Sequence, residues 1–218
     1  MERRFQRNIS QALSGLFHPL LMPMYGISAL SLSIYESGYA ERYLMSYALS
    51  SALKLTRLWG FAIPVCIILL LRIFRQFSSL EMEDRGERNG PYLACSLCYI
   101  VWNVQLYKAQ VPIEWLLIAM GGTLALMMVA AVNLRWKISA HSTGVGGMVG
   151  SVLAYGLDTG SFSWVVFLSV SAIAIAVMCA RLCLHRHTVM QVTAGWSVGL
   201  LCTLLPTYLF TLTALPNV

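Results

Sequence analysis

Charge is so sparse in this chain that the gaps between charged residues dictate what it can fold into. Only 15 Lys or Arg and 9 Asp or Glu are spread over 218 residues, and six windows are free of charge: 8–35, 89–107, 115–134, 138–157, 159–180 and 187–218. A bilayer core is about 30 Å thick, and a helix rising about 1.5 Å per residue needs roughly 20 apolar residues to cross it. All six windows reach or nearly reach that length. A seventh, 58–71, is shorter, but Arg57 and Arg72 flank it and can snorkel from its two ends. The expected fold is an all-α, polytopic membrane helical bundle of six or seven transmembrane helices, a single integral membrane domain over 1–218. The helices are expected over about 16–35, 56–75, 92–107, 113–134, 143–157, 163–183 and 189–210. Pro19 and Pro23 fall in the first turns of the first helix and Pro112 at the start of the fourth, where a missing N–H costs little. Pro64 predicts a kink in the second.

Composition removes the competing classes. Hydrophobic residues make up 58 % and charged residues 11 %, with a mean hydropathy of +0.69, whereas soluble domains carry about 25 % charged residues. A soluble enzyme, a disordered regulator and a secreted disulfide scaffold are all excluded. No strand-like alternation supports a barrel. The first window is long and lacks a small-x-small cleavage site, so it reads as a span rather than a signal peptide. The six cysteines fall within or at the ends of the expected helices, where Cys95-x-x-Cys98 reads as packing rather than redox or metal chemistry. The net charge of +6 suits contact with anionic membrane lipids, and nothing resembles a nucleic-acid-binding stripe. The six tryptophans read as interface anchors and packing.

Polar groups inside a membrane protein are costly and mark function by default. Three segments hold nearly all the chemically capable ones: Glu83-Asp84-Arg85-Gly86-Glu87-Arg88-Asn89-Gly90-Pro91, Arg135-Trp136-Lys137-Ile138-Ser139-Ala140-His141-Ser142, and Arg181-Leu182-Cys183-Leu184-His185-Arg186-His187-Thr188 with Gln191 beyond. Two windows separate the first from the second, and two more separate the second from the third. An even number of crossings puts all three segments on one face. The chemistry this suggests is phosphoryl transfer. Arg85, Arg88, Lys137 and Arg181 surround His141 and His187, and guanidinium and ammonium groups suit phosphate. Ser142 or Thr143 is expected to cap the fifth helix, and His187 or Thr188 opens the seventh, so two helix N-termini face the same anion. The small residues of Gly144-Val145-Gly146-Gly147-Met148-Val149-Gly150 allow a close helix approach.

These segments resemble a known family. Lys137-Ile138-Ser139-Ala140-His141 is similar to the Pro-Ser-Gly-His motif of the type-2 phosphatidic acid phosphatase superfamily. Ala180-Arg181, five residues, His187, three residues and Gln191 is similar to its Ser-Arg-x5-His-x3-Asp motif. The resemblance covers approximately 80–205. It implies a metal-independent phosphatase that needs no cofactor, with His187 as nucleophile, His141 as general acid, and Ser139 and Arg181 holding phosphate oxygens. The residues agree, since no Asp/Glu cluster with metal-ligand spacing accompanies the histidines. Three departures stand out: Ile138 and Ala140 replace the proline and glycine, Ala180 the serine, and Gln191 the orienting aspartate. A Gln carbonyl at i+4 can still accept the imidazole Nδ1–H, but adds no charge to support an imidazolium. Arg85-x-x-Arg88-x-x-Pro91 stands where the family has Lys-x6-Arg-Pro.

The expected activity is hydrolysis of a lipid phosphate or diphosphate through a phosphohistidine. A head-group phosphotransferase and a non-catalytic transporter or flippase of anionic lipids are the alternatives. A metal-dependent hydrolase built on His141, His185 and His187 is a third, which a chelator would inhibit. Other assignments have bland counterparts. Arg85 and Arg88 share their segment with Glu81, Glu83, Asp84 and Glu87, an ion-paired loop; Arg135 and Lys137 suit the interface; His185 reads as structural and His18 as interfacial. A bacterial cytoplasmic membrane is the expected location. With seven spans, eleven cations share the face of the N-terminus and the three segments, against Arg42, Lys54, Arg57 and Lys108 opposite. The positive-inside rule then places the site in the cytoplasm, whereas relatives in the resembled family commonly work on the periplasmic side.

Overall fold

The computed structural model describes residues 2–36, 42–74, 82, 84–160 and 162–214. Glu81 and Glu83 of the first polar segment lie outside them, as does Arg75, one of the eleven cations counted on the face of the N-terminus. The described elements are all helical: α1 (Glu2–Leu16), α2 (Met22–Glu36), α3 (Arg42–Leu55), α4 (Ile63–Ile73), α5 (Asn89–Lys108), α6 (Ile113–Asn133), α7 (Ala140–Thr159), α8 (Trp164–Cys183) and α9 (Val189–Ala214). Five stretches are long and apolar enough to cross a bilayer: Arg4–Glu36, Tyr47–Ile73, Ile113–Asn133, Trp164–Cys183 and Val189–Thr213. Large apolar side chains such as Leu93, Leu168, Ile175 and Leu209 face outward, as they would toward lipid chains. The chain is an integral membrane protein.

The expected count of six or seven spans meets five, and the reason is visible in α5 and α7. Each has 20 residues, enough to cross, but their composition is too polar to qualify alone. Twelve of the α7 residues are buried, among them Ser142, Thr143, Ser151 and three glycines. A helix sheathed by α2, α6, α8 and α9 has little contact with lipid and so can carry small and hydroxylated residues.

Two helix boundaries also differ from expectation. The first expected helix is broken, because His18 precedes Pro19 and is held extended at φ −64°, ψ 141°. What precedes the break is a separate amphipathic helix, α1, followed by a 3-10 turn over Pro19–Leu21. The second expected helix starts earlier, since α3 runs without a break through a π-helical stretch, Thr56–Ala62, into α4. That stretch lies directly before Pro64. The Ile63 N–H reaches back to the Leu58 carbonyl, and the widened turn absorbs the disruption the proline imposes.

Glycines set the tightest contact in the bundle, between α7 and α9. A Cβ at Gly146 would lie 2.2 Å from the Trp196 carbonyl oxygen, and one at Gly199 only 1.9 Å from that of Thr143. Thr203 Oγ1 lies 3.1 Å from the Gly147 carbonyl and donates across the same seam. The close approach expected of the Gly144–Gly150 run occurs here, and the neighbour is α9, which carries Gln191.

Candidate functional site

The three polar segments sit at the starts of α5, α7 and α9, and side chains from all three line one cavity of about 1300 Å3. Arg88, His141, Arg181 and His187 all line it, close enough for the charge of Arg181 to reach both imidazoles and that of Arg88 to reach His187. Arg85, Lys137, Ser139 and Gln191 do not line it.

His187 is the best defined of the group. Thr188 and Gln191 form a capping box at the start of α9. The Gln191 backbone N–H donates to Thr188 Oγ1 at 3.4 Å, and the Thr188 N–H donates to Gln191 Oε1 at 3.2 Å. Because that oxygen accepts a main-chain N–H, the orientation of the Gln191 amide is fixed. His187 Nδ1, 3.1 Å from the same oxygen, must then be the protonated nitrogen. The lone pair is left on Nε2. Gln191 thus stands behind the histidine, as the i+4 spacing implies. Burial holds the His187 imidazole down to about 4, the Gln191 bond opposes this, and the charges of Arg181, Arg88 and Lys137 add to the lowering. At neutral pH it is an uncharged base.

Ser139 caps α7, in place of the expected Ser142 or Thr143. The Ser142 N–H donates to Ser139 Oγ at 3.3 Å, and Ser142 Oγ lies 2.9 Å from it. Its own N–H meets the Gln191 carbonyl at 3.3 Å, which ties the second segment to the third through main chain. Ser139 is fully buried, so its hydroxyl serves the helix end rather than the cavity. His141, in the first turn of α7, lies with Nε2 3.0 Å from the Ser14 carbonyl oxygen on α1.

Arg88 is buried, with Nε donating to the Met82 carbonyl at 2.8 Å; its guanidinium also meets the Tyr92 hydroxyl. Arg85 is exposed, and its contribution is a main-chain one: its carbonyl accepts from Asn133 Nδ2 at 2.9 Å. Asn133 also donates to Asn89 Oδ1 at 2.9 Å, joining the first segment to the end of α6. Lys137 is half-buried and acts on His187 through its charge.

Two further histidines line the cavity, one against its expected place and one in keeping with its expected structural role. His18, expected at the interface, lines the cavity and packs edge-on against His141 with ring centres 5.6 Å apart. Its Nδ1 accepts the Leu20 N–H at 3.3 Å. His185 also lines the cavity, yet it has a clear structural duty. At φ 53° it is the left-handed residue that ends α8, with the His185 N–H on the Leu182 carbonyl at 2.9 Å and the Arg186 N–H on that of Arg181 at 3.3 Å. This pair of bonds is a Schellman stop, built without the usual glycine. Asn133 escaped notice in the sequence, where its only signal was a lone amide ending an apolar helix.

Away from the histidines the lining becomes apolar, with Leu106, Val111, Trp115 and Ile118. Arg88 and Leu106 stand 18 residues apart along α5 and its leading turn, so the cavity extends about 27 Å at about 1.5 Å per residue. All six cysteines are free thiols. Among the described residues no three His, Cys, Asp or Glu side chains are grouped to hold a metal ion.

Fold and site together define a helical membrane protein with a cationic, histidine-lined chamber. No protein-family model matches the chain, and neither the curated proteins nor the solved structures offer a match.

Proposed function

We propose that this protein hydrolyses a lipid phosphate or diphosphate through a phosphohistidine intermediate, without a metal, and that α5 and α7 also cross the membrane to give seven spans. The observation that carries the reading is the two-part cavity. One end presents His187 Nε2 among Arg88, Arg181 and His141, the other is apolar, and the two together run nearly the thickness of a bilayer core. Such a cavity fits an anionic headgroup joined to a long hydrocarbon tail.

In this reading the phosphoryl group sits between Arg88 and Arg181. Nε2 of neutral His187 attacks phosphorus as the bond to the lipid oxygen breaks, and His141 supplies the proton that the oxygen takes. Water then cleaves the N–P bond, giving its proton to His141 and releasing inorganic phosphate. Gln191 holds Nδ1–H throughout, so the ring cannot turn or change tautomer between the steps.

The test is phosphate release by the purified protein in detergent with EDTA present. His187→Ala should abolish release, and unchanged activity in that variant would sink the mechanism. Release of the lipid alcohol in a burst without inorganic phosphate would indicate a head-group phosphotransferase. Phosphate-free exchange of anionic lipid between leaflets of a reconstituted vesicle would indicate a flippase.

A further inference from the structure

We infer that α1 is part of the reaction centre: the Ser14 carbonyl positions His141 so that Nδ1, and not Nε2, exchanges protons with substrate and water. The inference rests on the phosphohistidine reading above. The three polar segments all lie beyond residue 80, and none of them includes the N-terminal helix.

A carbonyl oxygen can only accept, so the 3.0 Å contact requires the proton on His141 Nε2. In the neutral ring, Nδ1 then carries the lone pair. The arrangement parallels that of His187, whose Nδ1–H is held by Gln191 Oε1 so that Nε2 is the reactive atom. One ring is held through each nitrogen, and the opposite nitrogen of each is left for the phosphoryl group. His18 limits rotation of His141 by packing edge-on against it. Its own ring is fixed through Nδ1 by the Leu20 N–H. Arg7, Gln11 and Ser14 recur at helical spacing on α1 and line the same cavity, so α1 turns a polar stripe toward it, while its packing partner is α8.

The proton count is consistent with this geometry. The neutral ring takes its second proton at Nδ1 from the monoanionic phosphate ester as it binds between Arg88 and Arg181. When the P–O bond breaks, the electron pair stays on the lipid oxygen, which takes that Nδ1 proton. The ring keeps Nε2–H on the Ser14 carbonyl. In the second step the attacking water returns a proton to Nδ1, the N–P electron pair goes back to His187 Nε2, and phosphate leaves.

The decisive experiment replaces His141 with Nδ-methylhistidine in the full-length protein and compares two substrates. Dodecyl phosphate has a poor alcohol leaving group; 4-nitrophenyl phosphate has a good one that needs little protonation. Blocking Nδ1 should lower first-turnover release of dodecanol from dodecyl phosphate at least 100-fold, within the usual span of general-acid effects, and leave first-turnover release of 4-nitrophenol within about tenfold of wild type, while the later release of phosphate slows on both. Retained first-turnover release of dodecanol, or equal loss of first-turnover release on both substrates, would overturn the inference. A wild-type protein inactive on both would instead overturn the phosphatase reading itself.

A second measurement needs no catalysis. In 15N spectra of ligand-free protein, His141 should show a protonated Nε2 and a lone-pair Nδ1. Gly15→Pro, which drives Ser14 out of helical geometry, should abolish that signature, whereas Gly15→Ala, whose Cβ meets nothing within 4 Å, should preserve it. The opposite tautomer in wild type, or an unchanged spectrum in Gly15→Pro, would refute the role of α1.

Discussion

Gly199→Ala should inactivate this protein although the residue touches no proposed reactant. The added Cβ would stand 1.9 Å from the Thr143 carbonyl oxygen and 2.7 Å from the Gly147 nitrogen. Both obstacles are main chain of α7, so no side chain can rotate away. Restoring an ordinary contact requires α7 and α9 to part by roughly 1.5 Å. Overpacking of this kind costs about 1–3 kcal/mol. The kinetic cost should be larger, because α7 carries His141 and α9 begins beside His187. The Ser139 N–H to Gln191 carbonyl bond joins the two at 3.3 Å and could not survive that separation. A misplacement of about 1 Å at a reacting centre is worth roughly 100-fold in rate. The assay is kcat/KM for phosphate release with the apparent Tm in the same detergent, alongside Gly90→Ala, whose Cβ meets nothing within 4 Å. Gly199→Ala should lose about two orders of magnitude in kcat/KM with a lowered Tm, and Gly90→Ala should lose neither. Wild-type kinetics and Tm in Gly199→Ala would refute the claim that this seam sets the geometry of the site.

Other perturbations test separate parts of the structure. His187 acts as a base only when unprotonated, and its value of about 4 lies below the ordinary 6.5. The acid limb of kcat/KM that it controls should therefore lie near 4, with activity gained as pH rises through it; Gln191→Glu should move that limb upward, and a limb that stays put would contradict the assigned contact. Asn133→Leu removes the donor to the Arg85 carbonyl and Asn89 Oδ1, and should destabilise by about 1–3 kcal/mol in equilibrium unfolding. His185→Gly should raise stability by about 1 kcal/mol, since glycine adopts the φ of 53° without the usual penalty; a drop would show that the imidazole contributes more than a helix stop.

What the sequence disclosed followed the physics of the solvent. Lipid penalises charge so heavily that α6, α8 and α9 could be located from charge-free windows alone, and the even number of windows between segments anticipated that Arg88, His141 and Arg181 would share a cavity. A charge-free window carries no information wherever lipid is not the neighbour. It passed over α1, an amphipathic helix whose charges a window rule treats as an end rather than an element. It also started the second helix too late, because Lys54 and Arg57 are exposed within the stretch Tyr47–Ile73 and long cationic side chains tolerate such a position. Within the site, the i+4 spacing of His187 and Gln191 was readable because a helix fixes it. Ser139 looked like a phosphate ligand because serine suits both tasks, and only its burial beneath Ser142 distinguishes cap from ligand. His18 could not be placed from sequence, since it approaches His141 across 123 residues of chain.

The gathering of His18, His141, His185 and His187 around one cavity has a spectroscopic consequence. The chain contains four histidines and all four line it, so no imidazole elsewhere in the protein contributes background. In a tag-free preparation labelled only at histidine, every ring signal reports on the chamber. Tautomers, titrations and ligand contacts could be followed there in a micelle otherwise crowded with aliphatic resonances, and a polyhistidine tag would forfeit that selectivity.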